Sequence, residues 1–209
     1  GDVTYNGPVS GPVRGTASPS GDGREITFDT GADFAPLAGG EESTETFVYS
    51  VVDGSGQTGE HTVTVTVTGV NDAPVASDDF VPAVSANVPT DLEPAVLAND
   101  SDVDNGDSIR IVSVGVTGTV GEVVLGSLIY DANGQFDSLT EGETDTDVFT
   151  YVIEDDQGLT DTAQVTVTVI GVNDAPVQLT PLADASIDED SLLSLPIDAA
   201  AFTDVDGDT

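Results

Sequence analysis

The segment Asn99-Asp100-Ser101-Asp102-Val103-Asp104-Asn105-Gly106-Asp107 puts four aspartates and two asparagines into nine residues. An Asp-x-Asp alternation in a turn can aim two carboxylates at one point. The chemistry on offer is capture of a hard cation, because calcium takes about six to eight oxygens from carboxylates, amides and backbone carbonyls. The pattern is echoed by Asp204-Val205-Asp206-Gly207-Asp208. Three more oxygen-rich groups occur in pairs: Asn71-Asp72 with Asn173-Asp174, the turn acids Asp53 and Asp155, and Gly40-Glu41 with Gly142-Glu143. One histidine and no cysteine argue against zinc or copper. The spacing is not that of an EF-hand, which needs a twelve-residue loop closed by glutamate. A single Asp loop is usually a solvated turn, so the signal lies in four groups recurring in register.

The register is set by an internal repeat. Phe47–Val75 returns as Phe149–Val177, 102 residues later and without a gap. The same offset aligns Ile26, Phe28 and Asp29 with Leu128, Tyr130 and Asp131. One complete unit therefore spans 71–172. Residues 1–70 form a unit lacking its first strands, and 173–209 form the front of a third. Two origins fit this phasing. One is a window on a longer polypeptide. The other is a subunit whose C-terminal third completes the first unit of the next subunit by strand addition.

The elements that must position these acids read as strands. His61–Thr68 alternates threonine and valine, with Val63, Val65 and Val67 on one face. Gln164–Val169 repeats it, and Phe47-x-Tyr49-x-Val51 and Phe149-x-Tyr151-x-Ile153 alternate likewise. Period two with β-branched residues marks half-buried strands. Asp53-Gly54-Ser55-Gly56 and Asp155-Asp156-Gln157-Gly158 join each pair with turn chemistry. Further strands are expected near 109–116, 120–125 and 128–131, and no helical period stands out. About seven short strands per unit predict an all-β protein of tandem Greek-key β-sandwich domains in a linear array.

Composition removes several function classes. Thirty-nine acids face three arginines, a net charge of −36. Nucleic acid and anionic membrane both need basic patches, so neither is a partner. No disulfide can form without cysteine, and no apolar run approaches the ~18 residues of a membrane span. Catalysis finds no support either. His61, the only histidine, begins an alternating strand and is expected in solvent. No nucleophile elbow, P-loop or zinc motif is present. Asp155-Asp156 could mimic a glycosidase pair, but no aromatic subsite accompanies it. Asn99-Asp100-Ser101 fits a glycosylation sequon and is read instead as part of the cation loop.

Phe149-x-Tyr151-x-Ile153-x-Asp155 through Val165-x-Val167-x-Val169-x-Gly171-Val172-Asn173-Asp174-Ala175-Pro176 resembles the C-terminal half of a cadherin repeat. It is closer still to the VCBS and bacterial cadherin-like repeats of giant calcium-dependent adhesins of the repeats-in-toxin type. Leu97–Asp104 matches their acidic loop, and Ile187–Asp190 with Phe202–Asp208 resembles the opening of a related domain. The resemblance implies an immunoglobulin/cadherin-like sandwich, an extracellular location at a cell surface or in a secreted protein, and calcium between consecutive domains. It assigns Asn71, Asp72, Asp102, Asp104 and Asp155 to the first joint, with Glu41 from the preceding domain. At the second joint it assigns Asn173, Asp174, Asp204, Asp206 and Glu143. One departure stands out: the first-strand acid of such domains, matched by Glu189, is Asn87 in the complete unit, which implies fewer ions at that unit's far end.

The resulting expectation is a non-enzymatic structural extender, calcium-rigidified at its joints, whose partners are neighbouring repeats. Two alternatives stay open. One is a subunit of an extracellular filament, a head-to-tail homopolymer built by strand complementation. The other is a calcium-dependent ligand-binding module, which would show a pocket lined by residues that differ between units, such as Arg14, Arg24 and Arg110.

Overall fold

A computed structural model describes residues 3–181 and 184–207, so Asp208 lies outside the described residues. The chain forms two compact units. The first comprises Gly1–Val75, Ser101–Arg110 and Glu154–Asp161; the second comprises Ala76–Asp100, Ile111–Ile153 and Thr162–Thr209. The acidic loop and the second hairpin turn thus pack with the first unit, although in sequence they belong to the repeat that starts at residue 71.

In the first unit the strands are β1 (Thr4–Ser10), β2 (Thr16–Pro19), β3 (Ile26–Asp29), β4 (Glu42–Val52) and β5 (Thr58–Thr68). They form a three-stranded sheet ordered β1-β4-β5 and a β2–β3 pair. The β4–β5 ladder is antiparallel and unbroken from Glu42↔Thr68 to Val52↔Thr58. Asp53 closes its turn by accepting the amides of Ser55 and Gln57 at 2.9 Å each. The core holds Phe34, Leu37 and Phe47, with Phe28 stacked on Phe47 at 6.4 Å. His61 is exposed, as expected from its strand position, and its ring lies 5.8 Å from Tyr49.

The second unit continues with β6 (Asp79–Ser85), β7 (Thr90–Asp91), α1 (Glu93–Val96), β8 (Arg110–Gly115), β9 (Glu122–Val124), β10 (Ile129–Asp131), β11 (Thr144–Glu154), β12 (Thr160–Ile170), β13 (Val177–Gln178) and β14 (Phe202–Thr203). A four-stranded sheet, β6-β12-β11-β8, and a three-stranded sheet, β7-β10-β9, account for the seven strands expected of a complete repeat. β6 runs parallel to β12, with a register shift after Val167. The inward faces of β11 and β12 supply Phe149, Tyr151, Ile153, Val165, Val167 and Val169, all buried. The sequence showed no helix, yet α1 and a 3-10 turn at Leu97–Asn99 are present. One turn is too short for a 3.6-residue period to register. Pro94 in the first turn and buried Leu92 and Val96 hold it.

The two valine strands differ in cover. β12 has a neighbour on each side, and Val165, Val167 and Val169 are fully buried. β5 is an edge strand, and Val63, Val65 and Val67 are only half-buried. Val167→Ala is therefore expected to cost about 2 kcal/mol of stability, and Val65→Ala distinctly less. Denaturant unfolding of the two variants checks the difference; equal losses would contradict it.

Candidate metal centre

The centre assembles within the first unit from the linker after β5, the acidic loop and the β11–β12 turn. The linker leaves β5 at Gly69, whose amide donates to the Glu41 carbonyl at 2.7 Å, while the Gly40 amide donates to the Gly69 carbonyl at 3.0 Å. A Cβ at Gly69 would collide with the backbone oxygens of Leu37 and Ala38, and one at Gly171 with those of Leu139 and Thr140. That close approach is why glycine recurs at both positions.

Beyond Gly69, Val75 and Ser101 exchange backbone hydrogen bonds of 2.8 and 3.1 Å, which clip the linker to the acidic loop. The Asp72 amide donates to Asp104 Oδ2 at 2.8 Å, and the Asp104 amide to Asp102 Oδ1 at 2.8 Å. The chain then turns through Asn105-Gly106, where Gly106 has φ 83° and the Asn105 amide donates to the Pro36 carbonyl at 2.9 Å. The β11–β12 turn presents Asp155, which is fully buried. Its Oδ1 accepts the amides of Gln157 and Leu159 at 2.9 and 2.8 Å, and its Oδ2 accepts Asn71 Nδ2 at 2.8 Å. Ser108 Oγ donates to Asp156 Oδ1 at 2.8 Å and ties the loop to that turn.

Carboxylate oxygens of Asp102, Asp107 and Asp155 lie within 4.8 Å of one another. Asn71 Oδ1, Asp102 Oδ2, Asp104 Oδ1 and Asp107 Oδ2 are buried and have no hydrogen-bond partner among the described residues. Buried, unpaired carboxylate oxygens are costly, and here the carboxylates of Asp102 and Asp107 also lie close to that of Asp155. Burial pushes the Asp107 carboxyl above its ordinary range, and the charges of Asp102, Asp104, Asp156 and Asp155 add to the shift. At Asp155 burial acts in the same direction, but the Asn71 side chain and the amides of Leu159 and Gln157 outweigh it and hold the group below its ordinary range. An all-oxygen set with orphaned buried atoms fits a hard cation such as calcium. Asn71, Asp102, Asp104, Asp107 and Asp155 are the residues that would hold it.

Among the sequence candidates, Asn71, Asp102, Asp104 and Asp155 come together. Asp72 joins through its amide, and its side chain is exposed. Glu41 is exposed and turns back on its own loop, accepting the Ala38 amide at 3.2 Å. Glu143 does the same at Thr140, at 3.1 Å. In the second unit, Asp174, Asp204 and Asp206 reproduce the first arrangement. The Asp174 amide donates to Asp206 Oδ2 at 2.7 Å and the Asp206 amide to Asp204 Oδ1 at 3.1 Å. Asp174 Oδ2 and Asp206 Oδ1 are buried without a partner among the described residues. Asn173 is exposed, with its amide on its neighbour's carbonyl. Asn87, the position where a first-strand acid was missing, donates to Asp174 Oδ1 at 3.2 Å.

Two features go beyond the ligands assigned from the sequence. Asp107 lies in the acidic segment but was assigned to neither joint; the Asn105-Gly106 turn folds it back to Asp102 and Asp155, and that dipeptide was the available signal. The second feature is Tyr151. Its hydroxyl lies 3.0 Å from both Asp100 carboxylate oxygens and from the Ser77 carbonyl, deep in the second unit. Burial pushes this hydroxyl far above its ordinary range, so it remains a donor. Burial likewise raises Asp79 beside it, and Asp100 adds to that shift.

Residues 71–171 match the bacterial cadherin-like domain. The fold is cadherin-like. Drosophila N-cadherin EC1-4 superposes with a TM-score of 0.50 and 18% identity over 84% of this chain and 43% of that one. Human CDH23 EC21-23 gives 0.49 and 13% over 97% and 73%. The chain thus spans less than half of the N-cadherin structure. No curated protein sequence matches it. Within the cadherin-like stretch, the matched segment opens at Asn71 and closes at Gly171, one linker to the next. No helix among the described residues is long and apolar enough to cross a membrane.

Proposed function

We propose that the chain is a structural extender of an extracellular surface protein of the bacterial adhesin type, stiffened by calcium where one repeat hands over to the next. The observation that carries this reading is the set of buried, unpartnered oxygens on Asn71, Asp102, Asp104 and Asp107 beside Asp155. Bound calcium would supply the positive charge that these groups lack. Without it, carboxylates from the loop and the turn repel, and the linker keeps its backbone clips and its hydrogen bonds to Asp155 and Asp104. With it, Asn71 of the linker, the loop acids and Asp155 share one anchor. Calcium modules outside cells bind at about 10⁻⁴–10⁻³ M, which suits a site that fills only in extracellular fluid. The repeat from 71 to 172 is the proposed unit, and Asp174, Asp204 and Asp206 are the proposed start of the next site. Small-angle scattering with calcium and then with chelator tests this: the particle should gain flexibility when calcium leaves, and identical curves would refute it.

A second reading rests on β5. Its outer edge is unpaired within its sheet and its valines are half-exposed, a surface that a strand from another copy could extend. Copies joined this way would form a head-to-tail filament. Sedimentation should then show polymer, and deleting the residues after Val172 should abolish it.

A further inference from the structure

We infer that Asn105 is a self-modification site, an Asn-Gly bond whose deamidation is held in check by the cation at the loop; this rests on the calcium reading above. The reaction needs an exposed asparagine side chain and a following amide that is free to attack it. Asn105 is exposed, and its side chain has no hydrogen bond among the described residues. The Gly106 amide has none either, and glycine leaves no side chain to obstruct the approach. The Gly106 nitrogen forms a bond to Asn105 Cγ, the Cγ–Nδ2 bond breaks, and ammonia departs with the amide proton. Water then opens the cyclic imide to aspartate or isoaspartate, so no oxidant or cofactor is required.

The position gives the reaction a consequence. Asn105 sits between Asp104, which is buried, and Asp107, which is half-buried with its Oδ2 enclosed. An isoaspartate there lengthens the main chain between them by one carbon and adds a further negative charge. A cation held by Asp104 and Asp107 fixes both ends of this short turn and opposes the backbone movement that ring closure demands. Calcium therefore protects the bond, and its loss exposes a slow, irreversible step that spoils the site.

Asn133-Gly134 provides an internal control. It is also exposed, and its backbone amide is held by the Asp131 carboxylate at 2.9 Å just as the Asn105 amide is held by the Pro36 carbonyl at 2.9 Å; what differs is that no carboxylate cluster among the described residues includes its neighbours. The whole chain would be aged in mildly alkaline buffer with calcium or with chelator. Peptide mass spectrometry would then follow amide-to-acid conversion at both sites, and calorimetry would record calcium binding by the fresh and the aged protein. The expected result is several-fold faster conversion at Asn105 in chelator, an unchanged rate at Asn133, and weaker calcium binding by the aged chain. Fresh protein that binds calcium yet converts Asn105 equally in both buffers, or not at all, would overturn the proposal while leaving the calcium reading intact. Fresh protein that binds no calcium would overturn that reading, and the calcium dependence with it.

Discussion

Asp107→Asn is expected to move the protein in opposite directions with and without calcium. In chelator the variant should be more stable than the parent. Folding buries the Asp107 carboxyl among Asp102, Asp104, Asp156 and Asp155, and its acid strength falls accordingly. A carboxyl raised in the folded state contributes stability below its ordinary value of 3.8 and loses that contribution as pH climbs through the raised value. At neutral pH the charged group therefore works against the metal-free fold, and asparagine of similar shape removes the charge. The advantage of the variant should shrink on acidification and vanish once the parent is protonated. In calcium the order reverses, because the variant has lost a carboxylate donor: its affinity should fall about tenfold or more, by analogy with the losses seen when even outer-sphere partners of a metal are removed. Thermal melts in both buffers across pH, with calorimetric titration, check this. A variant less stable in both buffers would mean that Asp107 is simply a structural group.

Removing calcium from the parent protein is the second large effect. A site filled at hundredfold excess over its dissociation constant stabilises the folded state by about 2.7 kcal/mol. For a chain of this size, each kilocalorie corresponds to roughly 2–4 °C in melting temperature. Each lost ion should therefore lower the midpoint by several degrees. With a net charge of −36, general repulsion is a competing explanation, and salt separates the two. Monovalent salt screens diffuse repulsion and should recover only part of the loss. Magnesium, smaller and reluctant to shed water, should recover less than calcium at equal concentration. Full recovery by monovalent salt alone would assign the effect to overall charge and not to a site.

Local periodicity carried much of the fold. The alternation in His61–Thr68 and Gln164–Val169 placed β5 and β12, and the inward side chains of β12 are the valines that alternation marks. Pairing across distance was not legible. Nothing in Asp79–Ser85 announces a parallel ladder to β12, because paired residues such as Asp79 and Val165 lie far apart in the chain and neither strand encodes direction. The half-burial of Val63, Val65 and Val67 was equally hidden, since their sequence differs little from that of their fully buried counterparts.

The centre was legible where residue type alone decides. Asn71, Asp102, Asp104 and Asp155 are oxygen donors at repeat-defined positions, and the structure brings them together. Asp107 needed a conformation as well as a residue type: only the reversal at Gly106 returns it to the group. Glu41 and Glu143 show the converse. Both recur in register, yet a longer side chain beside a tight turn satisfies itself on the amide three residues back. Recurrence there accompanies a shared turn.

Anomalous diffraction from crystals grown in calcium would locate any cation where Asp102, Asp107 and Asp155 converge. A calcium peak is expected within coordinating distance of those three carboxylates and of Asn71 Oδ1. A clear map with the three carboxylates bridged only by water, and no anomalous signal among them, would contradict it.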